Sequence, residues 1–215
     1  MPVSIVDRIA AARVIPVIAL DTAAEAVPLA QALVRGGLPV LEVTFRTDCA
    51  AEAIARIRDE VPAATPIAGT VLTASQLHAA QAAGAQACVA PGFDPEVIRA
   101  AQALSIPFCP GVATASELTQ ALSLGCRFVK FFPAEAAGGT RYLRDLLGAF
   151  RQTGIRFMPT GGVNLANLGD YLAIPEVACC GGTWVAPRDA VRGGDWTRIE
   201  RLAGETAALA AKVRS

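Results

Sequence analysis

One histidine, His78, is present among the 215 residues. A multi-histidine metal centre is therefore excluded, and a Ser-His-Asp relay would depend on this one residue in the helical-looking run SQLHAAQAA (75–83). It reads as a surface or groove histidine. Lysine is almost as scarce: of 19 basic residues only Lys130 and Lys212 are lysines, leaving 17 arginines. Basic and acidic residues balance at 19 each, and no basic cluster offers a footprint for nucleic acid. No uncharged apolar run has the length, about 18 residues or more, of a membrane span. The opening segment MPVSIVDRIAAARV carries Asp7 and Arg8 in an amphipathic pattern, without the basic start and unbroken apolar core of a signal peptide. The six cysteines (49, 88, 109, 126, 179, 180) contain no C-x-x-C pair. They read as reduced, mostly strand-borne thiols of a cytoplasmic protein.

What is abundant is apolar residue, 53% of the chain, much of it alanine in helical-looking segments. Short β-type runs recur at 14–20, 39–45, 66–71, 86–91, 106–111, 127–133, 155–161 and 177–184. Helical segments separate them. Their start signals are a Thr at 22, Asp48, Thr73 and Asp94, and a last helix is expected from about Asp195 onward. Eight alternating units predict a parallel (β/α)8 barrel with an N-terminal helix, forming one domain over residues 1–215. A doubly wound open sheet would carry a glycine-rich dinucleotide fingerprint after the first strand, and VIALDTAAEA has none.

Lys130 sits in FVKFFPAE (128–135), a place where an unpaired ammonium is costly. Side chains alternate along a strand, so Val40, Glu42 and Thr44 share one face, as do Phe128, Lys130 and Phe132. The helix-covered face must be apolar, so Glu42 and Lys130 are both expected to point into the barrel. They form either a structural ion pair or a reactive site; apolar residues would serve stability as well. A lysine amine, once unprotonated, forms Schiff bases with carbonyls, which an arginine does not. Burial and a nearby cation favour the free amine of a lysine, and a nearby carboxylate opposes them. Glu42, the one carboxylate in an expected strand, is the candidate general acid and base, with Glu135 as its understudy.

Arg46 offers a fork for a carboxylate. Thr70 and Thr160 end the third and seventh strands, where a hydroxyl could bind substrate or serve a turn. Paired glycines end the seventh and eighth strands, at Gly161-Gly162 and Gly181-Gly182. Loops at those two places form the recurrent phosphate site of barrels. Gly138-Gly139, after the sixth strand, reads as a loop or turn.

The segments EVTFRT (42–47), AGTV (68–71), Pro91-Gly92, CPGVAT (109–114), FVKFFPAE (128–135), PTGGVN (159–164) and GGTW (181–184) resemble the 2-keto-3-deoxy-6-phosphogluconate (KDPG) and 4-hydroxy-2-oxoglutarate aldolase family. The resemblance implies a (β/α)8 barrel and a homotrimer. It implies cleavage of a phosphorylated keto acid to pyruvate and glyceraldehyde 3-phosphate, as in the Entner–Doudoroff pathway, without metal or other cofactor. It further implies that Lys130 forms the Schiff base and Glu42 transfers protons. Arg46, Thr70 and Thr160 would hold the pyruvyl carboxylate and neighbouring hydroxyls, and Gly161, Gly162, Gly182 and Thr183 the phosphate. Thr183 departs from the serine expected in the GGSW form, which adds a methyl group and stiffens the rotamer. Lys212 matches nothing in the family pattern. The nearest alternative is cleavage of 4-hydroxy-2-oxoglutarate to pyruvate and glyoxylate, or both activities together. A galactonate-derived substrate, a phosphosugar isomerase or synthase on the same barrel, and a non-catalytic phosphate-binding barrel are the further alternatives; the isomerase or synthase predicts activity with no lysine adduct, and the non-catalytic barrel predicts tolerance of Lys130→Arg.

Overall fold

The structure, a computed structural model, describes residues 4–213. Among the described residues nine short strands appear: β1 (Val14–Ile18), β2 (Val40–Thr44), β3 (Thr65–Gly69), β4 (Cys88–Val89), β5 (Phe108–Cys109), β6 (Gly111–Val112), β7 (Phe128–Phe131), β8 (Arg156–Pro159) and β9 (Cys180–Gly182). Ladder pairing is parallel throughout, in a six-stranded sheet ordered β5-β4-β3-β2-β1-β9 and a three-stranded sheet ordered β6-β7-β8. The fold is thus α/β with a curled parallel sheet.

The expected fifth strand is split, and Pro110 is the cause. Proline has no N–H to give a ladder. Just before it, the Cys109 carbonyl accepts from Ala90 N (3.0 Å), while the Pro110 carbonyl accepts from Lys130 N (2.8 Å). One extended segment therefore faces β4 on one side and β7 on the other. Beyond β8, parallel bridges join Phe157 to Val177 and Thr160 to Gly181. Every expected strand is present, but its ladder covers only part of the apolar run, which also takes in residues before or after the ladder.

Alternation sorts the core into two layers. Leu41 and Val43 of β2, and Val129 and Phe131 of β7, pack outward with helical residues such as Leu29, Leu33, Ile54 and Ile57. Val40, Ile67, Val89, Phe128 and Met158 form an inner layer. Ile9 of α1 (Ile5–Ala12) joins that inner layer, so the N-terminal helix covers the amino ends of the strands. Phe128 faces inward and Val129 outward, so Lys130 must face inward.

The remaining helices are α2 (Ala26–Arg35), α3 (Ala50–Glu60), α4 (Ala74–Ala83), α5 (Pro95–Ala103), α6 (Ala115–Ser123), α7 (Gly139–Leu147), α8 (Leu168–Leu172), α9 (Arg188–Arg192) and α10 (Trp196–Lys212). Thr73 and Asp94 cap as expected, accepting from Gln76 N (3.2 Å) and Glu96 N (2.8 Å). Asp195 caps α10 through Arg198 N (3.0 Å). Thr22 holds the N-cap position of a 3-10 turn (Ala23–Glu25) that leads into α2, and its backbone N donates to the Glu25 carboxylate (3.1 Å). Asp48 does not cap α3: the cap position falls on Cys49, whose side chain makes no capping bond. All six cysteines are free. Among the described residues, no helix is long and apolar enough to cross a membrane.

Candidate active site

Lys130 is 4% exposed and Glu42 is fully buried. They come from strands on opposite sides of the inner layer, yet Lys130 Nζ lies 3.0 Å from Glu42 Oε1 and 3.4 Å from Oε2. The amine also sits 5.6 Å from the centre of the Phe132 ring. The neighbouring inner-layer thiols are not rivals as nucleophiles. Burial pushes Cys109 well up, against the pull of the Lys130 ammonium, and burial does the same to Cys179. Both stay protonated thiols.

The pair opens into a cavity of about 220 Å³ at the carboxyl ends of the strands. Its walls bring together Glu42 and Lys130 with Arg46, Thr70, Thr160, Gly161, Gly162, Gly182 and Thr183. Val17, Pro91, Phe132 and Val163 supply the apolar part. Glu135 is not among the walls; its Oε1 accepts a hydrogen bond from the Tyr171 hydroxyl. His78 is exposed on α4, and Lys212 ends α10, away from the cavity lining.

Local backbone chemistry explains the arrangement. Gly161 and Gly162 have φ of +97° and +84°, a region in which residues with a Cβ are strained. Thr70 has φ +55°, and it is β-branched. Such a conformation costs on the order of 1–3 kcal/mol and persists only where its surroundings fix it. A strained residue lining a cavity beside a buried charge pair is a functional signature.

Two contributors, Gly69 and Thr44, had no role assigned from sequence, and Gly181 has a further one. A Cβ on Gly69 would overlap the Glu42 carboxylate, so this glycine makes the room in which the carboxylate lies. A Cβ on Gly181 would overlap Thr160 Oγ1. Thr44 is buried; its hydroxyl donates to the Ile18 carbonyl (2.8 Å) and accepts from Arg46 Nε (3.1 Å). That bond aims an otherwise exposed guanidinium at the cavity. The signal for Gly69 was present in AGTV, but only the strand register shows which side chain it faces: Thr44 pairs with Gly69, and Glu42 with Ile67.

A lysine and a carboxylate in contact, a guanidinium, three hydroxyls and two glycine-rich loops can form an imine, move protons and hold an anion at each end of a substrate. Among the described residues, no group of three or more His, Cys, Asp or Glu could hold a metal.

Comparison with known proteins agrees with this chemistry. The family described as "KDPG and KHG aldolase" matches residues 5–202. The chain is 49% identical to a 2-dehydro-3-deoxy-phosphogluconate aldolase of Dickeya dadantii, over 91% of each chain. It is 48% identical to the KHG/KDPG aldolase of Escherichia coli, over 89% of each. A crystal structure of KDPG aldolase from Legionella pneumophila, with pyruvate captured as a covalent carbinolamine intermediate, superposes with a TM-score of 0.88. It is 43% identical, over 92% of this chain and 96% of that one. The chain is a lyase and belongs to the KDPG and KHG aldolase family.

Proposed function

We propose that this chain is a class I aldolase that cleaves 2-dehydro-3-deoxy-6-phosphogluconate to pyruvate and glyceraldehyde 3-phosphate. The contact of Lys130 Nζ with Glu42 inside the cavity carries the reading. In the proposed cycle, the Lys130 amine adds to the C2 carbonyl, and the carbinolamine loses water to leave a protonated iminium. Glu42, directly or through a water, removes the C4 hydroxyl proton. The electrons of the C3–C4 bond then move into the iminium, releasing the aldehyde and leaving an enamine. Protonation at C3 and hydrolysis return pyruvate and free lysine. Arg46, held by Thr44, is assigned to the substrate carboxylate, with Thr70 and Thr160 beside it. The amides of Gly161, Gly162 and Gly182, with amide and hydroxyl of Thr183, are assigned to the phosphoryl group.

Cleavage of 4-hydroxy-2-oxoglutarate is a second activity of the same site, favoured by the double name of the Escherichia coli relative. The reading further takes residues 1–215 as one domain and the two sheets as one closed (β/α)8 barrel. The Pro110 break and the bridges from Phe157 to Val177 and from Thr160 to Gly181 support that closure. A cytoplasmic homotrimer is taken from the family resemblance, and light scattering at three chain masses is its expected result.

The test is borohydride trapping with pyruvate. A reduced pyruvate adduct on Lys130 is expected by peptide mass spectrometry, together with cleavage of the phosphorylated keto acid. Folded protein with no adduct at saturating pyruvate would remove the aldolase reading.

A further inference from the structure

Glu135 lies just past the end of β7, outside the cavity walls, and the proposed cycle leaves it without a task. Its surroundings are nevertheless specific. Tyr171, on α8, is 0% exposed, and its hydroxyl donates to Glu135 Oε1. Burial first, and then the Glu135 carboxylate, push the Tyr171 phenol upward, so it remains a donor. The backbone is tied to the same neighbours: Glu135 N donates to the Gly161 carbonyl (3.0 Å) and Ala134 N to the Thr160 carbonyl (2.8 Å).

One glycine from each of two pairs is shaped around this one side chain. A Cβ on Gly162 would stand 2.5 Å from Glu135 Cγ and 2.6 Å from its Cβ. A Cβ on Gly139 would stand 3.2 Å from Glu135 Oε1 and 3.7 Å from the Tyr171 hydroxyl. Gly139 is thus more than a turn residue: with Gly162 it makes the channel in which the Glu135 side chain runs to Tyr171. The loop on the other side of that channel is Gly161-Gly162, with both residues in left-handed conformations. Glycines are the residues most free to leave such conformations, so an anchor beside them holds the loop in one shape before a ligand arrives. A carboxylate beside an anion site would repel the anion if it were loose. The Tyr171 bond keeps Oε1 on the Gly139 side.

We propose that Glu135 and Tyr171 are positioning residues that hold the Gly161-Gly162 loop in shape for a phosphoryl group, and so set the preference for phosphorylated over unphosphorylated 2-keto acids. The inference rests on the aldolase reading above. It also replaces the role of understudy in proton transfer that the sequence offered for Glu135.

The test compares the parent protein with Tyr171→Phe, Glu135→Ala and Glu135→Gln. Readouts are KM and kcat for 2-keto-3-deoxy-6-phosphogluconate and for its unphosphorylated counterpart, with pyruvate trapping at Lys130 alongside. Tyr171→Phe and Glu135→Ala are expected to raise KM for the phosphorylated substrate about tenfold, the size of one charge-assisted hydrogen bond. The unphosphorylated KM and the pyruvate adduct should move less than about twofold, as for changes remote from a bound group. Glu135→Gln keeps an acceptor for the phenol, so its phosphorylated KM should stay within about threefold of the parent. An unchanged ratio of the two KM values in all three variants overturns the inference. So does a kcat loss with both substrates in Glu135→Gln, which would make Glu135 a proton-transfer group. Should Glu135→Ala fail to fold, Tyr171→Phe and Glu135→Gln decide the matter. A parent protein that traps no pyruvate brings down the aldolase reading and this inference together. Adduct formation with an unchanged substrate ratio removes the inference alone.

Discussion

Two cavities open at opposite ends of β1, β2 and β3, and the larger is the chemically poorer. The amino-end cavity, about 460 Å³, is lined by six alanines, two arginines, Thr65 and apolar or turn residues, with no carboxylate. The carboxyl-end cavity is less than half that size, and it holds an amine, a carboxylate, a guanidinium and three threonines. Val40 and Glu42, on one face of the same strand, line one cavity each. Volume records how loosely elements meet. Function needs walls that differ in charge and acidity, brought together from separate strands.

The difference is broken most completely by removing the amine. Lys130→Met is expected to abolish the pyruvate adduct and lower cleavage by at least about 10⁴-fold, as for loss of a nucleophile elsewhere. It should also cost on the order of 3 kcal/mol in urea unfolding, since the fully buried Glu42 loses its partner. Glu42→Gln should slow kcat by about 10²–10⁴-fold while leaving some adduct to trap. Next in size is Gly69→Ala, whose Cβ must displace the Glu42 carboxylate. A misplacement of about 1 Å predicts a fall of about 100-fold in kcat, checked by steady-state cleavage.

Two threonines on adjacent strands then sharpen the contrast. Thr44→Val removes the acceptor for Arg46 Nε. Its signature should be a KM for pyruvate adduct formation raised by about three- to tenfold. Thr65, at the opposite end, accepts from Arg8 Nη2. Thr65→Val should lower Tm by about 3–6 °C with kcat/KM unchanged. Equal effects of both changes on kcat/KM would erase the distinction between the two ends.

The smallest effect belongs to the rim. Asp21 binds Arg192 Nε (2.6 Å) and Arg188 Nη2 (2.8 Å), and those guanidiniums hold its carboxyl down from 3.8 to about 2. A depressed folded value gives stability that is present above pH 3.8 and lost as the pH falls toward 2. Asp21→Asn should therefore lower Tm slightly at pH 7, less at high salt, with the difference closing as the pH falls through that window.

The chemistry of the site was more legible in the sequence than its supports. Alternation along VLEVT and FVKF was enough to turn Glu42 and Lys130 inward, because strand period is a local property. Gly69, Thr44 and Tyr171 act across strands or between loops, and their partners follow only from register and packing. Strand ends were overestimated where turn residues are themselves apolar or glycine. Pro110 was visible in CPGVAT, yet its effect depends on strands on both sides of it. Asp48 failed as a cap because the helix begins one residue later than the capping pattern suggested. Thr70 was legible as a strand-end hydroxyl, but its positive φ had no signal, since a threonine in AGTV reads as ordinary strand backbone.

The Lys130–Glu42 bond spans 88 positions of chain, and the cavity wall is complete only at Thr183. β9, which carries Gly182, pairs directly with β1 near the start of the chain. During synthesis the carboxylate emerges first, the amine much later and the last glycine loop later still. A nascent chain thus holds every reactive group for some time before it holds a reaction chamber, and an amine in open water is almost wholly protonated. Reactivity toward cellular carbonyls is withheld until synthesis has passed Thr183 and β9 has found β1.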